Sequence, residues 1–283
     1  MSFSKDLKEE ISKIENLANK EAVKYELKGY LMSSNITQDN GKIKFCTENE
    51  YNINRFSKLL SNANINRYGI ELQGKKYIIT VNSKELDLIK ELDIGELSQD
   101  KIRYIIRGAY LGGGSINDPE KKYHLELGVK SKEDANLLSN MLKTYEIKSN
   151  ILKTENEYSI YLKDGEEIAK FLALIGACKS VIKFEEIRVQ REMNNKINRL
   201  VNCESANLNK TINASISQIE AIRKLKENGK FEKMSDTLKE IAELRLNNPN
   251  SSLIELGKML KEPVGKSGVN YRLKKIMEMA NEE

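Results

Sequence analysis

The amino-acid sequence predicts an α+β fold in which an α-β-β-α-β-β-α arrangement occurs twice and is followed by an all-α domain. Helical and alternating apolar patterns follow one another in the same order twice before residue 200. Matching positions recur at a near-constant offset, which is 79 residues from Gly29 to Gly108 and 82 residues from Tyr77 to Ser159. Beyond residue 216 only helical patterns occur. An internal duplication therefore predicts two sheets side by side, with the first long helix of each half packed at the centre.

The first half is expected to occupy about residues 1–95. Its first helix has Val23, Leu27 and Tyr30 at helical spacing, and residues 73–75 form a hairpin turn between two alternating runs. In chain order the predicted elements are a helix over 19–34, an alternating segment over 42–46, a helix over 51–60, strands over 68–72 and 76–81, and a helix over 83–91.

The second half is expected over about 96–200. In chain order it has a helix over 99–111, a strand over 123–129, a helix over 132–143, a hairpin of strands 150–154 and 158–162, and helices over 166–174 and 185–200. The glycines at 112–114 do not form a phosphate-binding loop, because they follow a helix and precede a strand. They indicate a tight exit from the helix into the strand.

A polar tract rich in Asn and Ser predicts a linker over 201–216, which would make residues 1–200 one domain and 217–283 another. The second domain begins with a helix over 217–227. A helix over 236–246 then ends before Pro249, and a capping box of Ser252 and Glu255 opens the next helix. Gly257 in its middle indicates a close helix–helix crossing. After a turn over 261–265, Ser267 is expected to cap the last helix.

These last helices predict a helix-turn-helix that contacts DNA. The net charge of the chain is +5, and residues 258–275 carry six basic side chains against Glu262, so 6 − 1 = +5 lies in this stretch alone. A recognition helix places the outward residues of its amino-terminal part on base edges, so Asn270 suits adenine and the cations suit phosphates or guanine. The alternative is a helical hairpin whose lysines are merely solvated. The candidate DNA-binding residues are Ser252, Lys258, Lys261, Lys266, Ser267, Gly268, Asn270, Tyr271, Arg272, Lys274 and Lys275.

Catalytic and metal-binding groupings are scarce. His124 is the only histidine and lies in an alternating segment typical of a structural role. The three cysteines are widely spaced, which indicates reduced thiols and no zinc site. No apolar run approaches the ~18 residues of a membrane span. We therefore expect a cytoplasmic protein that is not an enzyme, binds no metal or cofactor, and has no membrane partner.

The string IRGAYLGGGSI at 106–116 resembles a decayed LAGLIDADG motif of homing endonucleases, and LKGYLMSSNI at 27–36 is its weaker counterpart. The resemblance implies that fold, with the two motif helices packed at a pseudo-twofold axis. The metal-binding acidic position of the family falls on Gly113 in the second half and on Ser34 in the first. Neither residue supplies the carboxylate that Mg²⁺ prefers, so we expect degenerate catalytic positions.

A resemblance to the bacterial WhiA family of sporulation and cell-division regulators covers nearly the whole chain. It rests on SFSKDLKEE at 2–10, RGAYLGGGSINDPE with YHLE at 107–126, RLVNCESANLNKT at 199–211 and KSGVNYRL at 266–273. It implies a non-catalytic endonuclease-like domain joined to a helix-turn-helix similar to region four of bacterial sigma factors. It also implies a nucleoid-associated role in transcription or chromosome organisation, during division, segregation or sporulation.

Several alternatives stay open. The chain is a DNA-binding regulator, an active metal-dependent endonuclease, or a scaffold that docks RNA polymerase or another regulator and binds double-stranded DNA incidentally. In the first hypothesis, Lys42, Lys44, Arg67, Lys75 and Lys122 are candidates for backbone contacts by the duplicated domain. Residues 202–211 either order against DNA or the other domain, or cap neighbouring helices.

Overall fold

The computed structural model describes residues 2–95, 97–155 and 157–282, and the chain divides into two compact units between Glu192 and Met193. Each unit has an apolar core of its own. The amino-terminal unit holds all the strands of the described residues and the carboxyl-terminal unit is helical, so the predicted α+β class is confirmed. None of the described helices is both long enough and apolar enough to cross a lipid bilayer.

The first half of the amino-terminal unit contains a four-stranded antiparallel sheet in the order β1-β2-β4-β3. The single alternating segment predicted over 42–46 is the second of two paired strands, β1 and β2. The elements are α1 Phe3–Ser12, α2 Lys20–Met32, β1 Ile36–Asp39, β2 Lys42–Thr47, α3 Glu50–Asn62, β3 Tyr68–Gln73, β4 Lys76–Asn82, a 3-10 turn Ser83–Leu86 and α4 Asp87–Lys90.

The second half repeats this arrangement with an antiparallel sheet in the order β5-β6-β8-β7. α5 passes into β5 between Gly113 and Gly114 without an intervening loop, which agrees with the predicted tight exit. The elements are α5 Gln99–Gly113, β5 Gly114–Ile116, β6 Leu125–Val129, α6 Lys132–Lys143, β7 Asn150–Lys153, β8 Tyr158–Leu162 and α7 Gly165–Leu174.

The central helices α2 and α5 approach each other at two glycines that occupy equivalent positions in the two halves. A Cβ atom at Gly29 would overlap the carbonyl oxygen of Ile105 and lie 2.7 Å from the amide nitrogen of Ala109. A Cβ atom at Gly108 would overlap the carbonyl oxygen of Glu26. The backbones therefore meet directly, as the predicted packing at the axis requires.

Helix α1 was not predicted, although Phe3, Leu7 and Ile11 at four-residue spacing are all buried. It also caps a later helix, because the Glu10 carboxylate accepts N–H bonds from Lys179 at 2.7 Å and from Ser180 at 2.9 Å. These amides belong to the first turn of α8, where backbone N–H groups have no partner inside the helix. The opening string of the chain thus supplies both core side chains and a helix cap.

Helix α8, Cys178–Glu227, corrects the predicted linker. The sequence predicted a helix over 185–200, a polar break over 201–216 and a new helix from 217, whereas one helix runs through all three. Asn and Ser disfavour a helix only mildly, and residues 201–216 contain neither proline nor glycine to end it. The functional limits of the two domains stay a prediction.

Candidate nucleic-acid interface

Three helices follow α8 in the carboxyl-terminal unit: α9 Asp236–Asn247, α10 Leu253–Met259 and α11 Lys266–Asn281, with a 3-10 turn Lys230–Lys233 before them. Their apolar faces form one core with the end of α8, which contributes Ile222 and Leu225. The predicted stripe of α11 is buried throughout, and it consists of Val269, Leu273, Ile276 and Ala280. This packing holds the opposite face of α11 outward.

The capping box at the start of α10 is present as predicted. The Ser252 hydroxyl accepts the Glu255 amide at 3.3 Å, and the Ser252 amide donates to the Glu255 carboxylate at 2.7 Å. This backbone bond lowers the pKa of Glu255, because the N–H group stabilises the charged carboxylate. Ser252 is therefore fixed at the entry to α10.

The turn between α10 and α11 packs onto Gly257. The Val264 amide donates to the Gly257 carbonyl at 3.1 Å, and a Cβ atom at Gly257 would overlap the Val264 carbonyl oxygen. The predicted close crossing of two helices is thus a close approach of the turn to the helix, although Val269 of α11 lies 3.1 Å from the same position. Ser267 is not the cap of α11, because the helix begins at Lys266 with Gly265 at the capping position and no side-chain cap.

One exposed face of α11 collects five of the predicted residues. Lys266, Asn270 and Lys274 follow at four-residue spacing, and Ser267 and Tyr271 lie beside them, with Tyr271 67% exposed. Lys275 is exposed at the edge of this face. Lys274 lies 3.7 Å from Glu278, but both side chains are exposed, so the pair holds neither in place.

The other predicted residues are dispersed. Arg272 is half-buried on a different side of α11, and Gly268 packs against Val264 with little space for a side chain. Lys258 lies on the exposed side of α10. Lys261 is exposed in the turn, where its amide donates to Glu240 of α9 at 2.7 Å.

A groove of about 290 Å³ lies in the carboxyl-terminal unit beside the first turn of α11. It brings Ser252, Lys266 and Asn270 together with residues that the sequence interpretation did not assign to the site. These are Lys210, Thr211, Ala214 and Gln218 of α8, Arg245 of α9, and Leu253 and Ile254 of α10. One sequence signal could have indicated this groove. Arg245 follows Ile241 by four residues, so a cation lies on the buried stripe of α9.

The two degenerate catalytic positions lie together where α2 and α5 end. A Cβ atom at Gly113 would lie 3.2 Å from the Ser34 amide nitrogen and 2.7 Å from the carbonyl oxygen of Gly128. Ser34 itself donates its amide to that carbonyl at 2.8 Å. Position 113 thus has no room for a carboxylate side chain unless β6 shifts.

No group of three or more His, Cys, Asp or Glu side chains placed to hold a metal ion occurs in the part of the chain that the structure describes. His124 stacks on Tyr161 with ring centroids 6.0 Å apart, and its Nε2 atom lies 3.5 Å from the Glu126 carboxylate. These contacts agree with the structural role predicted for the histidine.

Two family descriptions match consecutive parts of the chain. The "WhiA LAGLIDADG-like domain" matches residues 102–194, and the "WhiA C-terminal HTH domain" matches residues 197–280. A "Probable cell division protein WhiA" of Clostridium novyi is 37% identical over 100% of this chain and 98% of its own length. One of Clostridium beijerinckii is 48% identical over 70% of this chain, and the match spans only 65% of that relative.

Solved structures agree with the sequence relatives. The full-length DUF199/WhiA of Thermatoga maritima has a TM-score of 0.64 at 28% identity, over 99% of this chain and 98% of that one. An N-terminal LAGLIDADG domain of DUF199/WhiA has a TM-score of 0.55 at 23% identity, over 62% of this chain and 90% of that one, which shows the fold alone.

Proposed function

Because the chain belongs to the WhiA family, we propose that it is a DNA-binding regulator of cell division whose α10 and α11 contact double-stranded DNA. The observation that carries the proposal is the outward face of α11, which holds Asn270 between Lys266 and Lys274. The wider proposal is a transcriptional regulator or nucleoid-associated protein of division, chromosome segregation or sporulation, located with the chromosome in the cytoplasm. Residues 1–200 and 217–283 are its proposed functional domains.

The chemistry follows from how a recognition helix enters the major groove. Its amino-terminal outward residues reach base edges, and neighbouring cations neutralise phosphates. Asn270 is placed to pair with an adenine, for which a side-chain amide offers a bidentate donor and acceptor. Lys266, Lys274 and Lys275 surround it and suit the backbone or guanine.

Two substitutions on α11 separate backbone contact from base recognition in the full-length protein. Lys274→Glu is expected to weaken binding to all duplexes alike and to lower the salt slope by about 1, because one phosphate contact is lost. Asn270→Ala is expected to relax preference at one base pair, worth about 1–3 kcal/mol. Mobility shifts across salt concentrations measure both, on duplexes selected from a random pool and on single-base variants of them.

Lys196→Glu is the matched control, since Lys196 is exposed on α8 and lies outside the helix-turn-helix. Absence of any shift by wild-type protein at low salt would overturn the proposal. A shift that is lost with salt but indifferent to sequence would favour general coating of the nucleoid over choice of promoters.

We also propose that the amino-terminal unit does not cleave DNA. Two-metal cleavage needs oxygen ligands at the motif ends, where this chain has Ser34 and the crowded Gly113. Supercoiled plasmid incubated with the protein and Mg²⁺ is expected to stay as intact as with EDTA. Nicking or linearisation that EDTA abolishes would contradict this and favour an active endonuclease.

A specific observation favours a protein partner for part of this unit. On the face of the second sheet away from the core, Glu126 accepts a bond from Ser115 at 3.0 Å and lies between β5 and β8. A carboxylate there repels phosphates, whereas the corresponding face of the first sheet has a small excess of cations, with Lys42, Lys44 and Lys76 against Asp39 and Glu71. RNA polymerase or another regulator is therefore the second candidate partner, through the second sheet.

A further inference from the structure

The groove beside α11 has an unbalanced charge. Its lining includes three cations, Lys210, Arg245 and Lys266, and no carboxylate. They come from three different helices of the carboxyl-terminal unit, α8, α9 and α11. Three like charges at one cavity repel one another unless an anion lies among them.

Of the three cations, Arg245 gives the strongest indication of an anion site, because it is only 2% exposed. Its Nη1 atom donates to the carbonyl oxygens of Ser251 at 2.8 Å and Pro249 at 3.4 Å, which fixes the turn before α10. Its Nε atom is buried and has no hydrogen-bond partner. No carboxylate of the described residues lies within ion-pair distance of it, although buried charges are normally paired. Burial accordingly lowers the pKa of Arg245.

We infer that this groove binds a phosphate group, and that the group is a backbone phosphate of the DNA that α11 contacts. Lys210 and Lys266 supply charge at the groove, and Arg245 supplies a buried cation. Asn270 lines the same groove, so a phosphate held there lies next to the proposed base contact. Such backbone contacts fix the register of a recognition helix on the duplex.

This inference rests on the proposed function and extends it to α8. The helix-turn-helix domain predicted from the sequence begins at residue 217, so Lys210 and Thr211 lie before that limit, although they fall within the residues 197–280 that the HTH description matches. The end of the string over 199–211, for which the sequence left either DNA contact or helix capping open, thereby becomes part of the proposed DNA-binding surface.

Lys210→Ala in the full-length protein tests the assignment. Loss of one phosphate contact removes about 0.9 from the salt slope, so the ratio of wild-type to variant affinity shrinks about 3.5-fold between 50 and 200 mM salt. The loss is expected to be equal for selected and random duplexes, and Lys210→Arg is expected to retain most binding. Arg245 is left in place, because its removal would leave the Ser251 carbonyl without its hydrogen-bond donor and loosen the turn before α10.

Lys224→Ala is the control, since Lys224 is an exposed lysine of the same helix, 14 residues or about 21 Å further along its axis. If wild-type protein binds DNA and Lys210→Ala keeps the wild-type salt slope, the phosphate site is overturned while the proposed function stands. If wild-type protein binds no DNA at low salt, the proposed function fails and the DNA assignment fails with it.

A second experiment tests whether the groove binds a DNA phosphate or a free phosphate ion. Inorganic phosphate is titrated into wild-type protein at constant ionic strength, and the melting temperature is followed. Saturable stabilisation that Lys210→Ala abolishes, together with an unchanged salt slope for DNA, would assign the groove to a free phosphate and overturn the backbone assignment. Loss of the salt-slope increment in the DNA arm, with no saturable phosphate effect, supports it.

Discussion

Replacing Glu26 with alanine is expected to lower the free energy of unfolding of the amino-terminal unit by about 3–5 kcal/mol, the cost of removing one partner of a buried ion pair. Glu26 and Arg55 are both almost fully buried, with Nε–Oε1 and Nη2–Oε2 distances of 2.8 and 2.9 Å. Asn16 donates to the same carboxylate at 3.3 Å, and Arg107 lies 3.7 Å from it. The substitution leaves two buried guanidinium groups without an anion.

Urea unfolding followed by near-ultraviolet circular dichroism measures this loss. Eleven of the twelve tyrosines precede residue 193 and Tyr271 is the other, so the signal reports the amino-terminal unit. Glu21→Ala is the control, because Glu21 lies on the same helix but pairs with Lys101 in a mostly exposed geometry. Similar losses for the two variants would contradict a special role for the buried pair.

Gly108→Ala is expected to destabilise the same unit by at least the upper end of the ~1–3 kcal/mol typical of overpacking. The new methyl group would lie 2.9 Å from the Glu26 carbonyl carbon and overlap its oxygen. Backbone atoms cannot yield as a flexible side chain can, so α2 and α5 must move apart. This strain opposes the ~1 kcal/mol by which alanine otherwise improves a helix interior.

The matched substitution is Gly69→Ala in β3, where a Cβ atom would meet nothing within 4 Å and φ is not positive. It should leave the unfolding midpoint of the tyrosine signal nearly unchanged. A midpoint for Gly108→Ala as high as that of Gly69→Ala would show that the helices tolerate separation.

Most of the strands and helices of the amino-terminal unit follow from local patterns, because each buries one face of a regular element. Helix α1 escaped prediction, since charged residues separate Phe3, Leu7 and Ile11 and the stripe is narrow. The break expected over 201–216 was wrong, because α8 continues through this polar tract. Polarity was taken as a sign of a linker, whereas Asn and Ser are compatible with a helix, and the tract lacks a proline or glycine that would interrupt one.

One part of the candidate interface could also be predicted from the sequence, and another part could not. The outward face of α11 is predictable, because the buried stripe from Val269 to Ala280 dictates which residues remain outside. The groove is not, because Lys210, Arg245 and Lys266 are distant in sequence and meet only through tertiary packing. Local spacing carries no information about such a convergence.

The ion pair at Glu26 also makes the two halves of the duplication non-interchangeable. In the register that matches Gly29 with Gly108, Glu26 corresponds to Ile105 and Arg107 corresponds to Lys28. A chimera assembled from two copies of the second half would place isoleucine at both glutamate positions and a buried arginine at both cation positions. One made from two copies of the first half would bury two Glu26–Arg55 pairs and would carry Lys28 in place of Arg107. The dependence therefore runs in one direction, because the second half buries a cation, Arg107, whose charge is stabilised by a carboxylate of the first half.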